Sequence, residues 1–309
     1  MGQGGELDRR RAAVLDDAKA ELAVDDGTVE ERLFSFDWPE GWTVVEDYWV
    51  HEPFAHVALL RDPDTREVRY HVTEPAMDEF ASFVREDVTV RLRTRLLDDD
   101  VDPDAEDAFE EALERVLERD AALADPIVRE KVRYYLRRDF QRDAEIDPLM
   151  ADPAIEDISC DGSDVPVYVY HAEYGNVETN LAFDAETLDS LTVKLAQQAG
   201  RHISASRPLV TTTMPDGSRI QVTLGSDVAA RGSNFTIRKF RDEPFTPTEL
   251  VDYGTFSVEQ MAYLWLAIEH NRSVLYVGPT ASGKTTTMNA TTLFIPPDSK
   301  VVSIEETRE

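Results

Sequence analysis

Gly278-Pro279-Thr280-Ala281-Ser282-Gly283-Lys284-Thr285 fits G-x-x-x-x-G-K-[ST] at every fixed position. The residue types follow from the chemistry of holding a polyphosphate. The glycines permit backbone angles that turn several N–H groups toward one point, which makes a nest for an anion. Lys284 supplies a point charge for the β- and γ-phosphates, and the Thr285 hydroxyl is placed to ligate Mg²⁺. Thr286, Thr287 and Met288 continue a helix whose N-terminal dipole also faces the anion. Upstream, Val274-Leu275-Tyr276-Val277 reads as a buried strand running straight into the loop. Strand, glycine-rich loop and helix in this order predict an α/β unit that binds a nucleotide and Mg²⁺.

A second signal lies just downstream, in Val301-Val302-Ser303-Ile304-Glu305-Glu306-Thr307-Arg308-Glu309. An apolar strand that ends in acids puts carboxylates at the mouth of a parallel sheet, where ligands bind. Glu305 or Glu306 could there hold Mg²⁺ through water or position an attacking water. The same pattern also arises wherever acids end strands in so acidic a chain.

Around the loop, helices are predicted at Ser257–His270 and Lys284–Leu293 and strands at Ser273–Val277 and Lys300–Glu305. The segment Arg241–Phe256, rich in Pro and turn residues, reads as an inter-domain linker. Before it, strands are predicted at Val165–His171, Leu209–Thr213, Ile220–Leu224 and Asn234–Lys239, with a helix from Glu186 to Gly200, an α+β mixture. Nearer the start, alternation over Trp42–Trp49 and His56–Glu74 around the turn Asp62-Pro63-Asp64-Thr65 predicts a small antiparallel sheet. Helices are predicted at Asp104–Leu123 and Ile127–Arg142, with Leu97–Asp104 as a loop. The division is therefore an acidic α+β module over 1–145, a second α+β domain over 146–243, and a linker with the first part of a phosphate-binding domain over 244–309.

Charge sets the surface. The 309 residues carry 62 Asp and Glu against 32 Lys and Arg, a net charge of −30. Residues 1–150 hold 40 acids and 20 bases and the remainder 22 and 12, so the first half is the more solvated. Such a surface repels nucleic-acid phosphates and anionic lipid, so no nucleic-acid partner is expected. Acid spread through every segment is what a salt-adapted cytoplasm would be expected to select. The single cysteine, Cys160, excludes a disulfide framework, and the six histidines show no paired-ligand spacing for a metal. No apolar run is long enough to span a membrane. Tyr134-Tyr135, amid Arg133, Arg137 and Arg138, reads as a helix face bridging acidic neighbours.

The combination of motifs resembles the type II/IV secretion-system ATPase superfamily, the motors of pilus assembly, archaellum assembly and protein secretion, and above all its archaeal members. The phosphate-binding loop is similar to that family's Walker A, and Ile304-Glu305-Glu306-Thr307-Arg308-Glu309 to its Asp box. Ile155-Glu156-Asp157-Ile158-Ser159-Cys160-Asp161-Gly162 and Pro215-Asp216-Gly217-Ser218-Arg219 resemble signatures of its PAS-like N-terminal domain, and Phe235-Thr236-Ile237-Arg238-Lys239-Phe240 resembles that domain's last strand. The likeness covers residues 145–309.

What the resemblance implies is a PAS-like domain followed by the start of a RecA-like domain. It implies Lys284 and Thr285 as phosphate and Mg²⁺ ligands and Glu305 or Glu306 in the Asp-box role. Arginines reaching the γ-phosphate would be Arg219 and Arg238, with Arg231 third. It also implies a hexameric ring on the cytoplasmic side of the membrane, working on a membrane platform protein. The family pattern continues with a Walker B acid beyond Glu309, so the resemblance implies a RecA-like domain cut short after the Asp box. Hydrolysis by this chain alone is then in doubt, and a non-catalytic nucleotide-binding chain docking with complete motor subunits stays open. A different P-loop enzyme, such as a small-molecule kinase, ranks third.

Overall fold

The structure, a computed structural model, describes residues 38–39, 41–98, 106–118, 125–225, 229–240, 245–279 and 282–304. The chain divides into two compact units, residues 1–239 and 240–309.

The first unit is built on a nine-stranded sheet. Its first three strands, β1 (Thr43–His51), β2 (Ala55–Arg61) and β3 (Val68–Thr73), form the antiparallel meander that the alternation predicted. The turn after β2 is closed by Asp62, whose Oδ1 accepts from the Asp64 and Thr65 amides at 2.7 and 3.2 Å. Those two hydrogen bonds favour the ionised carboxylate and hold its pKa below the ordinary value. The sheet continues through β4 (Ile155–Cys160), β5 (Pro166–His171), β6 (Gly175–Ala182), β7 (Leu209–Thr213), β8 (Arg219–Thr223) and β9 (Asn234–Arg238). The spatial order is β1-β2-β3-β6-β5-β4-β9-β8-β7. Among the described residues every ladder is antiparallel except β3 against β6, so strands before residue 145 and after 146 share one sheet.

Helices cover the sheet or pack with one another. On α5 (Ala185–Gln198), counted after α1 (Glu79–Asp98), α2 (Glu106–Leu117), α3 (Pro126–Gln141) and the short α4 (Asp147–Ala151), Leu188, Leu191, Leu195 and Ala196 are buried. They join Ile158, Ile220, Val222, Phe235 and Ile237 from the strands in one core. Asp184 caps α5, accepting from the Thr187 amide at 2.8 Å. A second core lies among α1, α2 and α3, where Val84, Val88, Leu92, Phe109, Leu113, Val132 and Leu136 meet. Helix α1 was not anticipated, and it takes in Leu97 and Asp98 from the stretch read as a loop. Pro126 opens α3 behind its Asp125 cap. The arginines of α3 bridge acids, as expected: Arg137 pairs with Glu110, Arg133 with Glu114 and Glu130, and buried Arg138 with Glu74.

The second unit holds α6 (Pro247–Asp252), α7 (Val258–Glu269) and α8 (Lys284–Thr292) around Leu250, Met261 and Ala290. Two expectations need correction here. The supposed linker Arg241–Phe256 contains α6, started by a full capping box in which Thr246 and Glu249 bond each other's backbone N–H. The strands predicted at Ser273–Val277 and Lys300–Glu305 are not strands among the described residues. Neither segment has a ladder partner, and Leu275, Val277, Val302 and Ile304 are exposed. An apolar run becomes a strand only when a neighbour takes up its backbone hydrogen bonds, and none of the described segments does so here.

Candidate functional site, a phosphate-binding loop and an arginine row

The loop is shaped by two glycines with different duties. Gly283 is the N-cap of α8 and sits at φ +79°, ψ 18°, the left-handed region that glycine enters without penalty. Gly278 leaves room: a Cβ there would stand 2.5 Å from Ser282 Oγ and 3.4 Å from Ser282 Cβ. The loop closes on itself through Ser282 Oγ, which donates to Pro279 O at 2.8 Å, and through Lys284 Nζ, which donates to the same carbonyl. The first intrahelical bond of α8 runs from the Thr287 amide to Gly283 O at 2.9 Å. The amides of Lys284, Thr285 and Thr286 therefore have no acceptor within the helix and face its N-terminal end.

Behind the loop, the Tyr276 hydroxyl lies 2.7 Å from Thr291 Oγ1, and Thr291 also donates to the carbonyls of Thr287 and Met288. This hydroxyl pair fastens the segment entering the loop to the helix leaving it. Tyr276 and Thr291 were not singled out from the sequence. The available signal was a tyrosine two residues before Gly278 and a threonine two turns into the helix.

These features fit a nucleotide polyphosphate: a loop that packs too closely on Gly278 for any Cβ, three amides at the N-terminal end of α8, one ammonium and a threonine hydroxyl. Of the other residues assigned to this site, Gly278, Pro279, Ser282, Gly283, Lys284, Thr285 and Thr286 lie together. Thr280, Ala281, Glu305 and Glu306 lie outside the described residues. Among the described residues no cluster of three or more His, Cys, Asp or Glu could hold a metal.

The arginines belong to the first unit. Arg219 opens β8 directly after the Pro215-Asp216-Gly217-Ser218 turn. There the Ser218 amide donates to Asp216 Oδ1 at 2.9 Å and the Met214 amide to Ser218 O at 2.8 Å. Arg238 closes β9, and the two are paired directly across the β8–β9 ladder. Asp157 of β4 is the opposite neighbour of Arg238, with Asp157 Oδ1 at 4.0 Å from Arg238 Nε. The row Asp157–Arg238–Arg219 thus carries two cations side by side with one acid. Lys239 anchors the end of β9, its half-buried ammonium donating to the carbonyls of Leu149 and Asp152; desolvation there lowers its pKa.

Arg231 is exposed in the β8–β9 connection, held by its backbone: Arg231 O accepts from the Ser163 amide at 3.2 Å. Gly162 makes that approach possible, because a Cβ there would lie 2.5 Å from Arg231 Cβ and 2.7 Å from Arg231 O. The glycine that ends the Ile155–Gly162 motif is thus a packing requirement of the Arg231 loop.

Comparison with known proteins places these features in a family. Residues 141–309 match the model described as Type II/IV secretion system protein, and residues 5–76 the model described as PilB3-like, N-terminal. Protein MJ0900 of Methanocaldococcus jannaschii is 43% identical over 185 residues, 60% of this chain and 33% of that protein. The type IV secretion system protein PtlH of Bordetella pertussis is 29% identical over 154 residues, 43% of this chain and 45% of PtlH. Among solved structures, the VirB11 ATPase of the Brucella suis type IV secretion system, in complex with sulphate, covers 49% of this chain and 51% of its own at 26% identity and a TM-score of 0.31. The chain spans a third to just under half of the length of these two curated relatives. No helix among the described residues is long and apolar enough to cross a membrane. Matched over more than half of its length, the chain belongs to the type II/IV secretion system protein family.

Proposed function

We propose that the chain is the nucleotide-binding part of an ATP-hydrolysing motor subunit that powers type IV pilus-like assembly or secretion. The observation that carries this reading is the loop at Gly278–Thr285. It runs through a left-handed Gly283 into the N-terminal end of α8, where the first amides have no acceptor within the helix, and it stands in a chain of the secretion family.

Lys284 would exchange the Pro279 carbonyl for the β- and γ-phosphates. The amides of Lys284, Thr285 and Thr286 would orient the same group, and the Thr285 hydroxyl, with Glu305 or Glu306 through water, would hold Mg²⁺. Bound there, Mg²⁺ would neutralise charge on the phosphates. Arg219 and Arg238 would supply the further positive charge that a phosphoryl-transfer transition state needs. In this reading residues 146–243 act as the arm that brings arginines to the nucleotide, and residues 244–309 as the beginning of a RecA-like domain. Opening and closing of the two around ATP would drive a hexameric ring at the cytoplasmic face of the membrane, against a membrane platform protein.

Phosphate release from ATP tests the reading. Turnover that disappears in Lys284→Ala and falls by about 10³-fold in Arg219→Ala or Arg238→Ala supports it. Turnover that survives Lys284→Ala contradicts it. Nucleotide binding with no turnover would favour the non-catalytic, motor-docking alternative.

A further inference from the structure

The two segments that match different families, residues 5–76 and 141–309, meet at Asp152, which is fully buried. Its Oδ2 accepts from the hydroxyls of Tyr48 on β1 and Tyr70 on β3, at 2.7 and 2.6 Å. Its Oδ1 accepts from the Ala154 amide at 2.8 Å, in the turn that leads from α4 into β4. Its carbonyl accepts from Lys239 Nζ, which also donates to Leu149 O at 3.2 Å. The carboxylates of Asp143, Asp152 and Asp216 attract the same ammonium. Lys239 is held once more through its amide, which donates to Glu156 O at 2.8 Å. One buried aspartate thus ties the first strands of the sheet to the residue that follows Arg238.

Arg238 needs such a tie. It is the last residue of β9, and its side chain is 76% exposed, with Asp157 Oδ1 4.0 Å from its Nε. A long side chain at the end of a strand is placed only as well as the backbone beneath it, and each loose bond adds to the entropy lost when it engages a ligand. Lys239 holds that backbone. The Asp152 turn also leads into β4, so Arg238 and its neighbour Asp157 both take their positions from the same residue. Where a charged group must meet a phosphate, a displacement of about 1 Å costs on the order of 10²-fold in rate. We propose that Tyr48, Tyr70, Asp152 and Lys239 are positioning residues for Arg238, through which the N-terminal strands set how well the site tells a nucleoside triphosphate from a diphosphate. The proposal rests on the reading that Arg238 meets the terminal phosphate of ATP.

Equilibrium binding of Mg-AMP-PNP and of Mg-ADP to the full chain tests this without calling on turnover. The ratio of the two affinities reads the terminal-phosphate contact, and a network that only holds the fold together leaves that ratio alone. Arg238→Ala is expected to lower the preference for the triphosphate by about tenfold. Lys239→Met and Tyr48→Phe should each lower it by about threefold with ADP affinity unchanged, and should add nothing in the Arg238→Ala background. Tyr48→Phe removes one oxygen from a half-buried ring, so the test stands even if Lys239→Met does not fold. If the folded wild-type chain shows no preference, or Arg238→Ala leaves it intact, the arginine reading fails and the inference falls with it. If Arg238→Ala removes the preference while Lys239→Met and Tyr48→Phe keep it, the arginine reading stands and the inference alone is overturned. Losses that add to that of Arg238→Ala overturn it as well.

Discussion

Arg219 and Arg238 stand directly opposite each other across the β8–β9 ladder, with Asp157 on the far side of Arg238. Like charges in that relation are mildly destabilising unless neighbouring acids offset them, as Asp157 does for Arg238. Changing either to Gln is expected to alter unfolding free energy by less than ~1 kcal/mol. In our account the same changes lower ATP turnover by orders of magnitude. Urea denaturation read beside phosphate release separates the two effects; a loss of activity matched by a large loss of stability would assign the pair to structure.

Gly278→Ala puts a methyl group within 2.5 Å of Ser282 Oγ. The chain should fold, yet bind ATP at least tenfold more weakly. Since Ser282 Oγ is the nearest obstacle, adding Ser282→Ala should recover part of the loss. Calorimetric titration of both variants measures the coupling; equal loss in the single and double variants would contradict the geometry.

Gly162→Ala has no such relief. Its new Cβ meets Arg231 backbone at a φ of +144°, which L side chains rarely adopt. A destabilisation of about 2–3 kcal/mol is expected in urea. A change near zero would mean that the Arg231 loop shifts freely.

Asp143 gives the first unit a pH signature. Burial first, then the nearby carboxylates of Asp147 and Asp216, push its pKa up to about 6. The folded state therefore holds a proton that the unfolded state releases near the ordinary carboxylate value. This group's contribution is most favourable below that value and is lost as pH rises through about 6. Asp143→Asn should raise stability at neutral pH by about 1–3 kcal/mol and remove the decline between the two pKa values. Chemical denaturation across that pH range checks both, and a wild-type stability that rises through the window would refute the assignment.

A net charge of −30 repels itself, and salt screens that repulsion. The melting temperature should rise from low salt to molar KCl; a fall would remove the salt-adaptation reading.

What could be read ahead was local. The loop at Gly278–Thr285, the start of α3 at Pro126, and the antiparallel strands around Asp62 all announce themselves within a dozen residues. Helix α1 stayed hidden because Phe83, Val90 and Leu97 on one face and Val84, Val88 and Leu92 on the other blur the 3.6-residue period into apolar residues all round. Helix α6 was overlooked although Thr246-Pro247-Thr248-Glu249 spells a capping box with proline in the first turn. The parallel pairing of β3 with β6 joins residues more than a hundred positions apart, and no local pattern reports it. For Val274–Val277 the composition was apolar, but a strand also needs a partner.

The central claim is that the Gly278–Thr285 loop holds ATP through Lys284. Equilibrium binding of Mg-ATP to the wild-type chain and to Lys284→Ala tests it most directly. We predict saturable binding that weakens by about 100-fold in the variant while ellipticity and melting temperature stay the same. Equal affinity in both chains, or no binding by a folded wild-type chain, would contradict it.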